Sequence, residues 1–99
     1  MHTPHRVSPG SLSDEVLIAK VAQGDKDALE TLYDRHAALV LGVCIKLIED
    51  RTTAEHVLQE VFWQVWQRSA TYQPQNGPFK GWLFRITREL TREVIRKTE

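Results

Sequence analysis

The stretch "AEHVLQEVFWQVWQR", Ala54 to Arg68, decides the fold. Its apolar residues Val57, Leu58, Val61, Phe62, Val65 and Trp66 recur at three- and four-residue steps, which gathers them into one wide arc of an α-helix. His56, Gln59, Glu60, Trp63 and Gln67 line the opposite stripe. A helix with one apolar arc buries it against neighbours, so this segment predicts a packed bundle. Trp63 is out of place on the polar stripe, and two readings are open. Exposed, its indole is an interface anchor with large apolar area and one N–H donor. Alternatively the ring packs under a neighbouring helix, since tryptophan is highly buried on average.

Working outward, "EDRTT" interrupts the pattern ahead of this helix, and Thr52 with Glu55 three residues on reads as a capping box at its start. Before the interruption, Asp25 caps a longer helix in which Leu29, Leu32, Tyr33, His36, Leu39, Val40, Val43 and Leu47 form the core face up to Ile48. Ser13 followed by Asp14 and Glu15 opens a short first helix, about Asp14 to Gln23, which Gly24 stops. After Arg68, "SATYQPQNGP" is a loop on the strength of its prolines and Asn-Gly pair, and Pro78 suits the first turn of a fourth helix that carries the rest of the chain. Strand signals are absent. The predicted class is all-α, a compact bundle of four helices with an exposed loop between the third and fourth.

The fourth helix presents Leu83, Ile86, Leu90 and Val94 as its buried stripe. Roughly opposite, Arg88, Arg92 and Arg96 stand above one another, with Arg85 inside the same arc of roughly 80°. Like charges four residues apart weaken an isolated helix by about 0.2 to 0.5 kcal/mol per pair, so the row implies a negative partner. The competing reading is a solvated surface in which Glu93 pairs with Lys97 and Glu89 with Arg85 or Arg92.

Formal charge is balanced, 13 basic against 13 acidic residues, which argues against indiscriminate coating of nucleic acid. Counted along the chain, however, residues 11–67 hold ten acids and five bases, and residues 68–99 hold seven bases and three acids. Opposite signs in the two halves suggest one surface for an anionic partner and another for a protein. At 99 residues and 41% hydrophobic content the chain suits a single domain, residues 13–99, after a flexible leader over residues 1–12. A single cysteine, Cys44, allows no internal disulfide, no apolar run approaches a membrane span, and "MHTPHRVSPG" has no signal-peptide core. A cytoplasmic protein without membrane insertion is expected.

Catalysis finds little support. His36 and Cys44 lie eight residues apart on one helix, about 12 Å along its axis, and neither has an evident partner acid. Both are expected in the core. The histidines and Cys44 form no recognisable zinc spacing and no Gly-rich phosphate loop appears, so no enzyme activity, metal or cofactor is expected.

The order of these signals resembles region 2 of bacterial sigma factors of the extracytoplasmic-function (ECF) type. The carriers are "GDKDALETLYDRHAALV" (Gly24 to Val40), "AEHVLQEVFWQVWQRSATYQPQNGPFKGWLFRITRE" (Ala54 to Glu89) and the basic helix after them. The most telling combination is Gln59-Glu60 before Val61-Phe62 and Trp66, a loop with Tyr72, Pro74, Gly77 and Phe79, then Trp82-Leu83 and Arg88. The resemblance implies a module of transcription initiation. It would dock on the clamp helices of the RNA polymerase β′ subunit and recognise and melt the promoter minus-ten element by holding the non-template strand. Carried over, His56, Gln59, Glu60, Trp63 and Gln67 would face the polymerase, and the loop Ser69 to Pro78 would receive an unstacked base. Arg85, Arg88, Arg92, Arg96 and Lys80 would meet DNA, with Tyr72, Gln73 and Asn76 as base-contacting candidates and Gln75 unranked beside them. Tyr72 stacks on the base in one reading and merely anchors the loop on the core in the other.

Two positions depart from the family pattern. His56 stands where an acid usually follows Ala-Glu, removing a carboxylate from the polymerase-facing stripe. Glu89 stands where asparagine commonly follows the arginine of the fourth helix; it repels phosphate and cannot donate to a base, though it can accept from cytosine N4. Complete ECF factors also carry a second helical domain that reads the minus-thirty-five element, and residues 13–99 are expected to contain region 2 alone. The alternative function is a sigma-like interaction module that acts mainly by binding an anti-sigma or polymerase partner without productive DNA recognition.

Overall fold

The computed structural model describes residues 11–98. Four α-helices follow one another among them: α1 (Asp14–Ala22), α2 (Lys26–Ile48), α3 (Arg51–Arg68) and α4 (Phe79–Thr98). Two single 3₁₀ turns, Ser69–Thr71 and Pro74–Asn76, occupy the segment between α3 and α4. The leader expected over residues 1–12 falls outside the described residues as far as residue 10; Leu12, at its end, packs half-buried against the core.

Local chemistry sets the first boundaries. Ser13 Oγ accepts the Val16 N–H at 3.1 Å, and Asp25 Oδ1 accepts the Ala28 N–H at 3.1 Å, each satisfying a donor that the helix leaves orphaned. Gly24, at φ +93°, lets the chain leave α1 and re-enter α2 within three residues. The α3 start differs from the predicted capping box. Asp50 is the N-cap, Thr52 lies inside the first turn, and the Thr53 hydroxyl donates to the Asp50 carboxylate. Glu55 instead accepts from Arg51 Nε at 3.0 Å, an ion pair four residues back.

The core gathers Leu17, Ile18 and Val21 of α1, the α3 arc, and Phe79, Leu83 and Ile86 of α4 around Leu32, Val40 and Cys44 of α2. The predicted α3 arc is buried in five of its six members, with Trp66 half-buried. The predicted α2 face needs correction, because Leu39 and Leu47 are 54% and 46% exposed. The buried row is Ala28, Leu32, His36, Val40 and Cys44, spaced by four. Each such step advances about 40° around the helix, so neighbours cross α2 obliquely and leave behind the face that a straight stripe would keep. On α4 the fully buried positions include Thr87 and Thr91, while Leu90 and Val94 are only half-buried. Both threonines satisfy their hydroxyls within the helix, on the carbonyls of Leu83 (3.0 Å) and Arg88 (3.1 Å).

His36 and Cys44 sit in the core as expected. Burial pushes the Cys44 thiol above its ordinary range, which leaves it a small apolar side chain rather than a nucleophile.

Candidate functional site

The segment between α3 and α4 is held rather than loose. Tyr72 packs edge-on to Trp82 at 5.5 Å and to Phe79 at 6.1 Å between ring centroids, and its hydroxyl donates to the Gly77 carbonyl at 2.8 Å. Burial first, then the charges of Glu15 and Asp14, raise the Tyr72 phenol above its ordinary value, so it stays a donor. Of the two readings of Tyr72, this geometry favours the anchor. Gly77, at φ +129°, supplies the backbone turn that brings its carbonyl to the ring.

Around this anchor lies a cleft of about 260 Å³, bounded by Thr71 to Gln73, Asn76 to Pro78, and Gly81, Trp82, Arg85 and Arg88 on α4. Tyr72, Gln73, Asn76, Arg85 and Arg88 are therefore brought together. Asn76 Nδ2 donates to Gln73 Oε1 at 3.1 Å, leaving two exposed amides at the rim. Arg92 and Arg96 continue from the cleft along the exposed side of α4; Lys80 and Gln75 are exposed but do not line it. Thr71, Gly81 and Trp82 are wall residues that the sequence reading left out. Gly81 was findable as a glycine inside a helix, a placement that costs stability and so asks for a reason. A Cβ at Gly81 would meet nothing within 4 Å, so that side of the helix is open.

The arginine row is unspent. Among the described residues, none of Arg85, Arg88, Arg92 and Arg96 makes an ion pair or a side-chain hydrogen bond. The solvated-face reading paired Glu89 with Arg85 or Arg92, but Glu89 meets neither and turns to Arg68 on α3 at 3.3 Å. Arg68 is itself held by Gln64 at 3.0 Å, and Gln64 donates to Glu60 at 3.2 Å. The Glu89 carboxylate thus faces Arg68 of α3 rather than the arginine row of its own helix.

On α3 all five stripe residues are exposed, and Trp63, at 55%, is not packed beneath a neighbour. The stripe divides into two surfaces. Gln59 and Trp63 border an apolar groove of about 900 Å³ against α2, together with Leu29, Tyr33, Phe62 and Trp66 and a rim of Lys26, Glu30 and Asp34. His56 and Glu60 face a smaller cleft of about 250 Å³ toward Leu90, Glu93 and Val94 of α4. Gln67 borders neither. Tyr33 forms the floor on the α2 side, edge-on to Phe62 at 5.0 Å with its hydroxyl 3.4 Å from the Gln59 amide. Its place in the α2 repeat marked it as core, which hid its part in the groove.

Residues 32–99, most of α2 through the end of α4, match the family model described as Sigma-70 region 2. The chain belongs to that family. Curated relatives of this region 2 chain include ECF RNA polymerase sigma factors. The ECF RNA polymerase sigma factor SigK of Mycobacterium sp. (strain KMS) is 31% identical over 85 residues, covering 86% of this chain and 44% of that protein. The ECF RNA polymerase sigma factor SigL of Mycobacterium tuberculosis (strain ATCC 25618 / H37Rv) is 29% identical over 73 residues, covering 74% of this chain and 41% of that protein. The chain therefore spans less than half the length of these relatives. Among solved structures, CnrH in complex with the cytosolic domain of CnrY superposes with a TM-score of 0.74 at 29% identity, over 81% of this chain and 51% of that one. Among the described residues no helix is long and apolar enough to cross a membrane, and no group of three or more His, Cys, Asp or Glu could hold a metal ion.

Proposed function

We propose that this chain is the non-catalytic region 2 module of an ECF-type sigma factor, docking on the β′ clamp helices and holding the non-template strand of the minus-ten element during promoter opening. The observation that carries the reading is the unpaired arginine row running out of a cleft of about 260 Å³. Four guanidinium groups without protein partners fit a row of phosphates, and arginine's planar fork suits both phosphate and base faces. The cleft beside them has the size and the polar rim to accept one unstacked base. Gln73 and Asn76 are in place to hydrogen-bond its exposed edge, and Arg88 or Trp82 to flank its face. Tyr72 holds the wall.

The apolar groove beside Trp63 is the natural protein-binding surface, well separated in chemistry from the basic ridge. It suits the polymerase, and the likeness to CnrH, solved with CnrY, supports an anti-sigma protein as a further partner of the module. The sigma-like module acting through protein alone remains the competing function, and DNA binding distinguishes the two.

The test is binding of single-stranded minus-ten-type oligonucleotides to the chain with core polymerase, across a salt series. Wild type should bind with a steep salt dependence, and Arg88→Ala/Arg92→Ala should flatten the log–log slope by about 1.4, two phosphates' share on a single strand. No binding by wild type with polymerase present, or an unchanged slope in the double variant, would overturn the reading.

A further inference from the structure

Two adjacent carboxylates at the start of α1 reach in different directions. Asp14 accepts from Arg35 Nη1 at 2.9 Å and lies 2.9 Å from His36 Nε2, tying α1 to the middle of α2. Glu15 turns the other way, and its Oε2 accepts the Phe79 N–H at 2.8 Å across 64 residues of chain. That N–H is one of the donors left open at the first turn of α4. Ser13 and Asp25 cap α1 and α2 from their own flanks, but Gly77 and Pro78 ahead of α4 carry no side-chain oxygen. The fourth helix thus takes its cap from another helix, and a carboxylate there also suits the positive end of its dipole.

The turn that Glu15 holds is also a wall of the cleft. Phe79 is fully buried, with Tyr72 and Trp82 packed on its ring, and Pro78, Gly81 and Trp82 face the cleft. Any shift of this turn moves those residues together. We propose that Glu15 is a positioning residue for the cleft, fixing the first turn of α4 against α1 and so setting the shape in which the cleft meets an unstacked base. The inference rests on the assignment of the cleft to a base and adds a residue outside it. Glu15 does not line the cleft and pairs with none of the arginines of α4, so it governs base discrimination and leaves strand attraction alone.

The test uses the whole chain bound to core polymerase and single-stranded oligonucleotides varied one base at a time. Glu15→Ala removes the acceptor, Glu15→Asp shortens its reach, and Glu15→Gln keeps an oxygen that can accept the Phe79 N–H. Glu15→Ala and Glu15→Asp should each lower the preference for the best base at one position by about fivefold, the scale of losing one helix cap. Glu15→Gln should keep it, and the salt slope should be the same in all. Amide hydrogen exchange at Phe79 gives a readout without DNA: its protection should fall in Glu15→Asp and persist in Glu15→Gln. That arm also holds where Glu15→Ala fails to fold. Wild type without any base preference overturns the assignment of the cleft and this inference with it. Wild-type preference retained in Glu15→Ala and Glu15→Asp, or Phe79 amide protection indifferent to Glu15→Asp, overturns this inference alone.

Discussion

Trp63 exposes 55% of its surface on a helix whose other large apolar side chains are buried or half-buried. On the proposed function this indole beside an apolar groove is an interface anchor, the kind of side chain that carries much of the binding energy. Trp63→Ala should therefore weaken binding to core polymerase by about 1 to 2 kcal/mol, roughly five- to thirtyfold, without altering thermal stability. Fluorescence titration with a β′ clamp-helix fragment reads the effect, and an unchanged affinity would remove Trp63 from the interface. Glu49 is the other conspicuous residue, the single non-glycine with positive φ among the described residues, at 68°. A carboxylate in the left-handed conformation just past the end of α2 opposes both backbone preference and helix dipole. Glu49→Gly should stabilise the fold by about 0.5 to 1 kcal/mol, a rise of some 3 to 6 °C in the midpoint of a circular-dichroism melt. A lower midpoint would mean that Glu49 makes a compensating contact.

At the scale of elements, α4 is where stability and the proposed function meet on one helix. Its inner row, Phe79, Leu83, Thr87 and Thr91, is buried, and its outer row of arginines is free. Gly81 stands at the cleft with open space where a side chain would go. Gly81→Leu should gain about 0.5 to 1 kcal/mol of helix stability from propensity and fill the cleft. Oligonucleotide binding should then fall while docking on polymerase persists. Full retention of binding in that variant would mean the base lodges elsewhere. Much of this element was legible in the sequence, because charge spacing along one helix is local information. The threonines were not, since hydroxyls that bond within their own helix bury as readily as apolar groups. Caps divided in the same way. Ser13 and Asp25 act on residues three ahead and could be read, whereas Asp50 takes the N-cap position of α3 without a side-chain cap to a backbone N–H, and Glu15 caps α4 from 64 residues away.

Across the whole molecule, α2 shows why the candidate surfaces were harder to foresee than the fold. Four amphipathic helices and a Pro/Gly-rich break specify a bundle almost whatever their crossing angles. The angles decide which partial faces remain outside. A buried row that steps by four winds around α2, leaving Leu39 and Leu47 in water and turning Leu29 and Tyr33 toward the groove beside Trp63. The groove between α2 and α3 and the cleft beside α4 share no lining residue, so the proposed partner protein and DNA strand need not compete for one face.

The central claim, that the cleft between Thr71 and Arg88 receives a base of the non-template strand, is tested most directly by cross-linking. A photoreactive base placed in turn at each minus-ten position, in a complex of the chain with core polymerase, reports its neighbour by peptide mapping. The account predicts one position that cross-links to residues 71–88 and flanking positions that reach the outer face of α4. Cross-links confined to α1 and α2, with none to residues 71–88 from any position, would contradict it.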